Sequence, residues 1–129
     1  MSWQAAFWVA LGGAIGSVLR WATVALTLER FGPGFPWGTV AVNLVGSFAI
    51  GVVAGLATSA APGISPTMRL FIATGILGGF TTFSAFSLDT LNVGRDSGAP
   101  LALLYLAGSV LFGLAAASGG LALARAVRP

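Results

Sequence analysis

The chain of 129 residues contains no cysteine, no histidine and no lysine. Without cysteine there is no disulfide framework, no thiolate metal site and no thiol nucleophile. Without histidine the commonest general base and metal ligand are missing. Serine and threonine hydroxyls remain, but nothing obvious activates them, which argues against an enzyme. Neither P-loop glycines nor a lysine exists to cradle a nucleotide phosphate. Charge is scarce as well, at 7% against about 25% in a soluble domain. The pI near 11.3 reflects six arginines against three acids. They form no basic cluster, so the value is not a nucleic-acid signature.

What fills the chain is apolar: 57% of residues are hydrophobic and the mean hydropathy is +0.95. That is the composition of an all-α integral membrane protein. Prolines punctuate it at Pro33 and Pro36, at Pro62 and Pro66, and at Pro100. Between them lie four segments of spanning length, roughly Trp3–Leu28, Trp37–Ala60, Thr67–Leu91 and Leu101–Ala124. About 20 residues cross the ~30 Å of hydrocarbon. One transmembrane domain over residues 1–129 therefore accounts for the chain. Trp3 and Trp37 fall at span ends, as interfacial anchors do. The N-terminus lacks a basic n-region and its apolar stretch runs long, so it is expected to stay as the first span. Gly12/Gly16 and Gly51/Gly55 are small-xxx-small pairs suited to close helix packing.

Orientation is weakly specified. Arg69, Arg125 and Arg128 lie on one side, Arg30 and Arg95 on the other. Three against two is almost no positive-inside bias. The expectation is insertion in both orientations and pairing as an antiparallel, dual-topology homodimer.

Residues 78–87, Gly-Gly-Phe-Thr-Thr-Phe-Ser-Ala-Phe-Ser, sit in the middle of the third span. Adjacent glycines and β-branched threonines are poor material for a helix centre. In lipid a broken helix survives only where protein or a polar cavity takes up the freed backbone groups. The run therefore predicts a break near the middle of the third helix, at Gly78 to Thr82, of the kind that serves an ion or polar solute. Thr39, Asn43 and Ser47 follow at i, i+4, i+8 on one face of the second span. Asn43 is the most costly of them, because a buried primary amide must find partners; Ser47 reads as packing. Tyr105 and Ser109 share a face of the fourth span, and Arg20 lies inside the first. Arg20 either snorkels to the interface or draws anions to a vestibule. Phe80, Phe83 and Phe86 form a stripe, which taken alone is usually core packing; the alternative is an anion-facing role. Ring edges carry positive quadrupole and can face an anion, each for on the order of 1 kcal/mol. Dehydrating a small anion costs tens of kcal/mol, so amide and hydroxyl donors must carry much of the load.

These residues resemble the Fluc (CrcB-like) fluoride channels. Residues 78–87 are similar to that family's third-span signature. Trp37-Gly38-Thr39 with Asn43-Leu44-Val45-Gly46 resembles the second-span motif, Gly16 with Leu19-Arg20-Trp21 the first, and Tyr105 with Ser109 the fourth. The resemblance implies a passive, fluoride-selective channel in the cell inner (cytoplasmic) membrane. It implies an antiparallel homodimer with two pathways. Carried over by motif, Phe83 and Phe86 are pathway rings, Asn43 the amide donor, and Tyr105 and Ser109 polar-track residues. Thr39 and Arg20 are implied as pathway or vestibule residues. The break resembles a central sodium site, at which the carbonyls of Gly78 and Thr81 would hold one structural cation. Fluoride, membrane lipid and a second copy are the implied partners, and nucleic acid is not.

Three positions depart from the pattern. Phe80 stands where an aliphatic residue is usual and is read as packing. Asp89 replaces a usual Glu and is expected either to pair with an arginine or to face water beside a pore. The hydroxyl track of the fourth span meets Gly113 and Ala117 at its further four-residue steps, to be completed by Ser118 or water. The runner-up is a dual-topology small multidrug exporter coupled to protons. It needs a carboxylate inside the first span, whereas Glu29 lies at the end of that span and the buried charge is Arg20. A non-transporting membrane assembly would explain the glycines but not Asn43 or the interrupted third span.

Overall fold

Each helix begins and ends where local chemistry supplies a cap. In the computed structural model, which describes residues 2–57 and 64–127, Ser2 opens α1 (Trp3–Phe31) by accepting the Ala5 N–H. Gly32, at a φ of +74°, closes it. α2 runs Trp37–Ala57. The expected end of the second span at Ala60, together with Pro62 and Arg128, lies outside the described residues.

The third span, Pro66–Ser97, is the irregular one. Ser65 caps it and Pro66 takes the first helical position, where its missing N–H costs nothing. A short α3 (Pro66–Arg69) leads into a π-helical turn, Leu70–Leu77, then α4 (Gly78–Phe80). The chain is extended at Thr81 (φ −80°, ψ 160°) and Thr82 (φ −151°, ψ 121°). Helix resumes as α5, Phe83–Ser97. The break is narrower than the expected Gly78 to Thr82, because Gly78 and Gly79 remain helical. The β-branched threonines, at home in extended backbone, are the residues that leave the helix. Gly98, at a φ of +93°, then turns the chain into α6, Ala99–Ala126.

The protein is thus all-helical, with four segments long and apolar enough to span a membrane and the third of them bent. Glycine sets the packing. α1 lies on the π-helical turn, and a Cβ at Gly12 would fall 2.6 Å from the Phe71 carbonyl oxygen and 2.9 Å from Gly75 Cα. α2 packs along α6, where a Cβ at Gly51 or at Gly120 would strike the backbone carbonyl of Ala117 or Phe48. Both pairs foreseen in the sequence sit at these contacts. Large side chains such as Leu103, Leu104, Leu111 and Phe112 point outward, as lipid-facing residues do.

Candidate functional site

The two extended residues at the break are held by Asn43. Its Oδ1 accepts the Thr82 N–H at 2.8 Å, and its Nδ2 donates to the Thr82 carbonyl oxygen at 3.0 Å. An amide side chain on α2 therefore pairs with the backbone N–H and C=O of one residue of the third span. This answers the demand that a freed backbone group in lipid find a partner. In an unbroken helix the Thr82 N–H would bond the Gly78 carbonyl, which now lacks that donor. The Ala85 N–H, which would have served Thr81, instead donates to Thr82 Oγ1 at 3.2 Å, an N-cap for α5. The Thr81 carbonyl oxygen accepts from Arg20 Nη1 at 3.2 Å. Arg20 is thus turned inward to the break rather than out to the interface.

The remaining candidates separate into two groups. Thr39 Oγ1 donates to Asp89 Oδ2 at 2.6 Å, joining α2 to α5. Beside this pair stands Tyr105, 3% exposed, whose hydroxyl has no hydrogen-bond partner among the described residues. Its ring lies 5.3 Å from that of Phe86, which is buried, and the Phe86 ring lies 5.8 Å from that of Phe83. Phe83 is 79% exposed on the surface of the chain. It borders an open cavity of about 330 Å³ with Asn43, Ser47, Gly78, Thr81 and Thr82. Ser109, half-buried one turn along α6 from Tyr105, makes no hydrogen bond to the other candidates among the described residues.

The structure also brings in residues that sequence reasoning set aside. Ser47, read as packing, lines the open cavity with Asn43, and its hydroxyl lies 3.6 Å from where a Cβ of Gly113 would stand. α2 therefore supplies a hydroxyl at the level where the fourth span lacks one; the i+4 spacing from Asn43 was the available signal. Asp89 gains a definite partner in Thr39, which no local pattern could link across fifty positions of chain. Phe80, read as packing, lies against Gly46 of α2.

Four spanning helices, the third of them bent beside paired polar side chains and rings, define a multi-pass membrane protein, and a family match gives it a lineage. Residues 7–121 match the family described as CrcB-like protein, Camphor Resistance (CrcB), and the chain belongs to that family. A relative from Rhizobium etli (strain CIAT 652) is 52% identical over 122 residues, covering 95% of this chain and 97% of the relative. A relative from Agrobacterium fabrum is 48% identical over 117 residues, 91% and 93% of the two chains. Another, from Hyphomonas neptunium, is 48% identical over 119 residues, 92% and 94%. Each is named a fluoride-specific ion channel, FluC.

Proposed function

We propose that the protein is a fluoride channel of the cell inner membrane, letting accumulated fluoride leave the cytoplasm passively. One observation carries the reading on this chain. At the midpoint of the third span the backbone leaves the helix beside an amide, several hydroxyls and a pair of phenyl rings. The path then runs past Phe83 and Phe86 to Tyr105 and Thr39. Arg20 draws anions toward the break, and Ser109 lines the passage along α6. The Asn43 amide keeps one N–H beyond the bond it gives Thr82.

The working unit is an antiparallel dimer in which the single transmembrane domain of each chain contributes to two pathways. Two features support it: the near-even arginine count on the two sides, and the exposure of Phe83 beside an open, largely apolar cavity. The Gly78 and Thr81 carbonyls fit a hard cation in donor chemistry, and Gly78 has lost its helical N–H. Two oxygens from one chain are too few for such an ion, so a second copy would complete the set. Bound there, sodium supplies a fixed positive charge that ties two broken helices together. Arg20 already donates to the Thr81 carbonyl and helps hold it in place.

Purified protein in liposomes tests the reading by an ion-selective electrode. Fluoride efflux at least about a hundredfold faster than chloride efflux supports it. No fluoride efflux, or chloride efflux at a similar rate, sinks it. Replacing sodium by a large organic cation is expected to lower the melting temperature of the assembled protein. A reporter fused to the C-terminus should appear on both faces of the membrane.

A further inference from the structure

The loop between α1 and α2 carries a ring that neither the composition nor the motifs single out. Gly32-Pro33-Gly34-Phe35-Pro36 is bounded by a left-handed glycine and stiffened by two prolines. The Trp37 N–H donates to the Phe35 carbonyl oxygen at 2.8 Å, a three-residue turn about Pro36. This folds the half-buried Phe35 ring back over the bundle. It meets Trp37 at 4.7 Å and the Tyr105 ring edge to face at 5.5 Å, with an interplanar angle of 88°. Phe83, Phe86, Tyr105 and Phe35 thereby form a continuous ladder, with steps of 5.8, 5.3 and 5.5 Å.

The far end of that ladder is a second cavity of about 340 Å³ at the loop side of the bundle. Phe35, Trp37, Thr39, Asp89, Asn92 and Arg95 are among its walls. Thr39 and Asp89 thus face this cavity on one side and Tyr105 on the other. Among the described residues the buried Tyr105 hydroxyl has no hydrogen-bond partner within range, and Phe35 meets its ring edge to face from the loop side. A tyrosine with a free hydroxyl needs its ring fixed by something other than its own hydrogen bond.

We propose that Phe35 is a positioning residue of the ion path. It is the loop's ring on Tyr105, holding Tyr105 against Thr39 and Asp89 and narrowing the exit from that cluster into the outer cavity. The inference rests on the fluoride-channel reading and adds to it a residue outside all four spans. An aliphatic side chain of similar bulk fills the loop but loses the edge-to-face contact, which is worth about a fivefold change in rate.

The test compares wild type, Phe35→Leu and Phe35→Tyr in liposomes, with oligomer elution and melting temperature measured in parallel. The expected result is that Phe35→Leu keeps its elution and melting behaviour, loses about fivefold in fluoride efflux and lets relatively more chloride pass. Phe35→Tyr, which keeps the ring, restores efflux to within about twofold of wild type. Phe35→Leu conducting and discriminating as wild type does would overturn the proposal. So would both variants losing flux together with assembly, since that is the signature of a loop that merely packs. Wild type failing to conduct fluoride strikes the channel reading itself and is a separate outcome.

Discussion

The two ends of the candidate path differ in how much of their own enclosure one chain supplies. Around Thr39, Asp89, Phe86 and Tyr105 the walls are α2, α5, α6 and the α1–α2 loop, and three of the four side chains are buried. Around Asn43, Ser47, Gly78 and Phe83 one wall is missing: Phe83 is mostly exposed and the cavity beside it is open. Both rings belong to the same helix, three positions apart. What separates them is that Phe86 faces α6 of its own chain while Phe83 faces outward. Under the proposed dimer, folding encloses one half of the path and assembly is left the other.

The largest effect should come from the amide at the open end. Asn43→Ala removes both bonds to Thr82 and leaves a buried N–H unpaired, at about 1–3 kcal/mol of stability. Fluoride efflux is expected to fall at least about a hundredfold, equivalent to ~2.7 kcal/mol. Thermal melting in detergent and electrode-recorded efflux measure the two losses, and normal conduction would remove Asn43 from the path.

A sharper division comes from the two rings. Phe86→Ile replaces a buried ring packed on Tyr105 and should cost about 1 kcal/mol in the stability of the chain itself. Phe83→Ile should leave that stability within about 0.5 kcal/mol while weakening dimerisation, read as a concentration-dependent shift in oligomer size. Both should lower efflux about tenfold. Equal effects of the two on chain stability would erase the distinction between the ends.

The smallest change is expected at the enclosed end. Asp89→Asn still accepts the Thr39 hydroxyl while removing a carboxylate that repels anions. Efflux should change by less than about threefold, whereas Asp89→Leu, which leaves the Thr39 hydroxyl without its acceptor, should lose more. A large loss in Asp89→Asn would mean that the charge itself is used.

The sequence exposed the helices and the existence of a break, because apolar length and proline punctuation are local signals. It also exposed Asn43, since an amide in lipid is conspicuous. It placed the break at Gly78 to Thr82, of which only Thr81 and Thr82 leave the helix. There, glycine's poor helix propensity pointed to Gly78 and Gly79, whereas those residues serve close approach: a Cβ at Gly79 would fall 2.5 Å from the Gly13 carbonyl oxygen. The Thr39–Asp89 and Phe35–Tyr105 contacts were invisible for a different reason. They join segments distant in sequence, and only the packing of α2, α5 and α6 brings them together.

The π-helical turn before the break has a consequence for how the third span can vary in length. At its end the Gly78 N–H reaches back to the Ala73 carbonyl, five residues away rather than four. Each such loop encloses one residue more than an α-helical turn needs. A single residue removed between Leu70 and Leu77 would convert wide turns to ordinary ones and leave Thr81 aimed as before. The same deletion in α5 has no slack to draw on and would swing everything beyond it by about 100°. The stretch leading into the break is a spare residue stored as helix width, and indels in the third span have that one place to go.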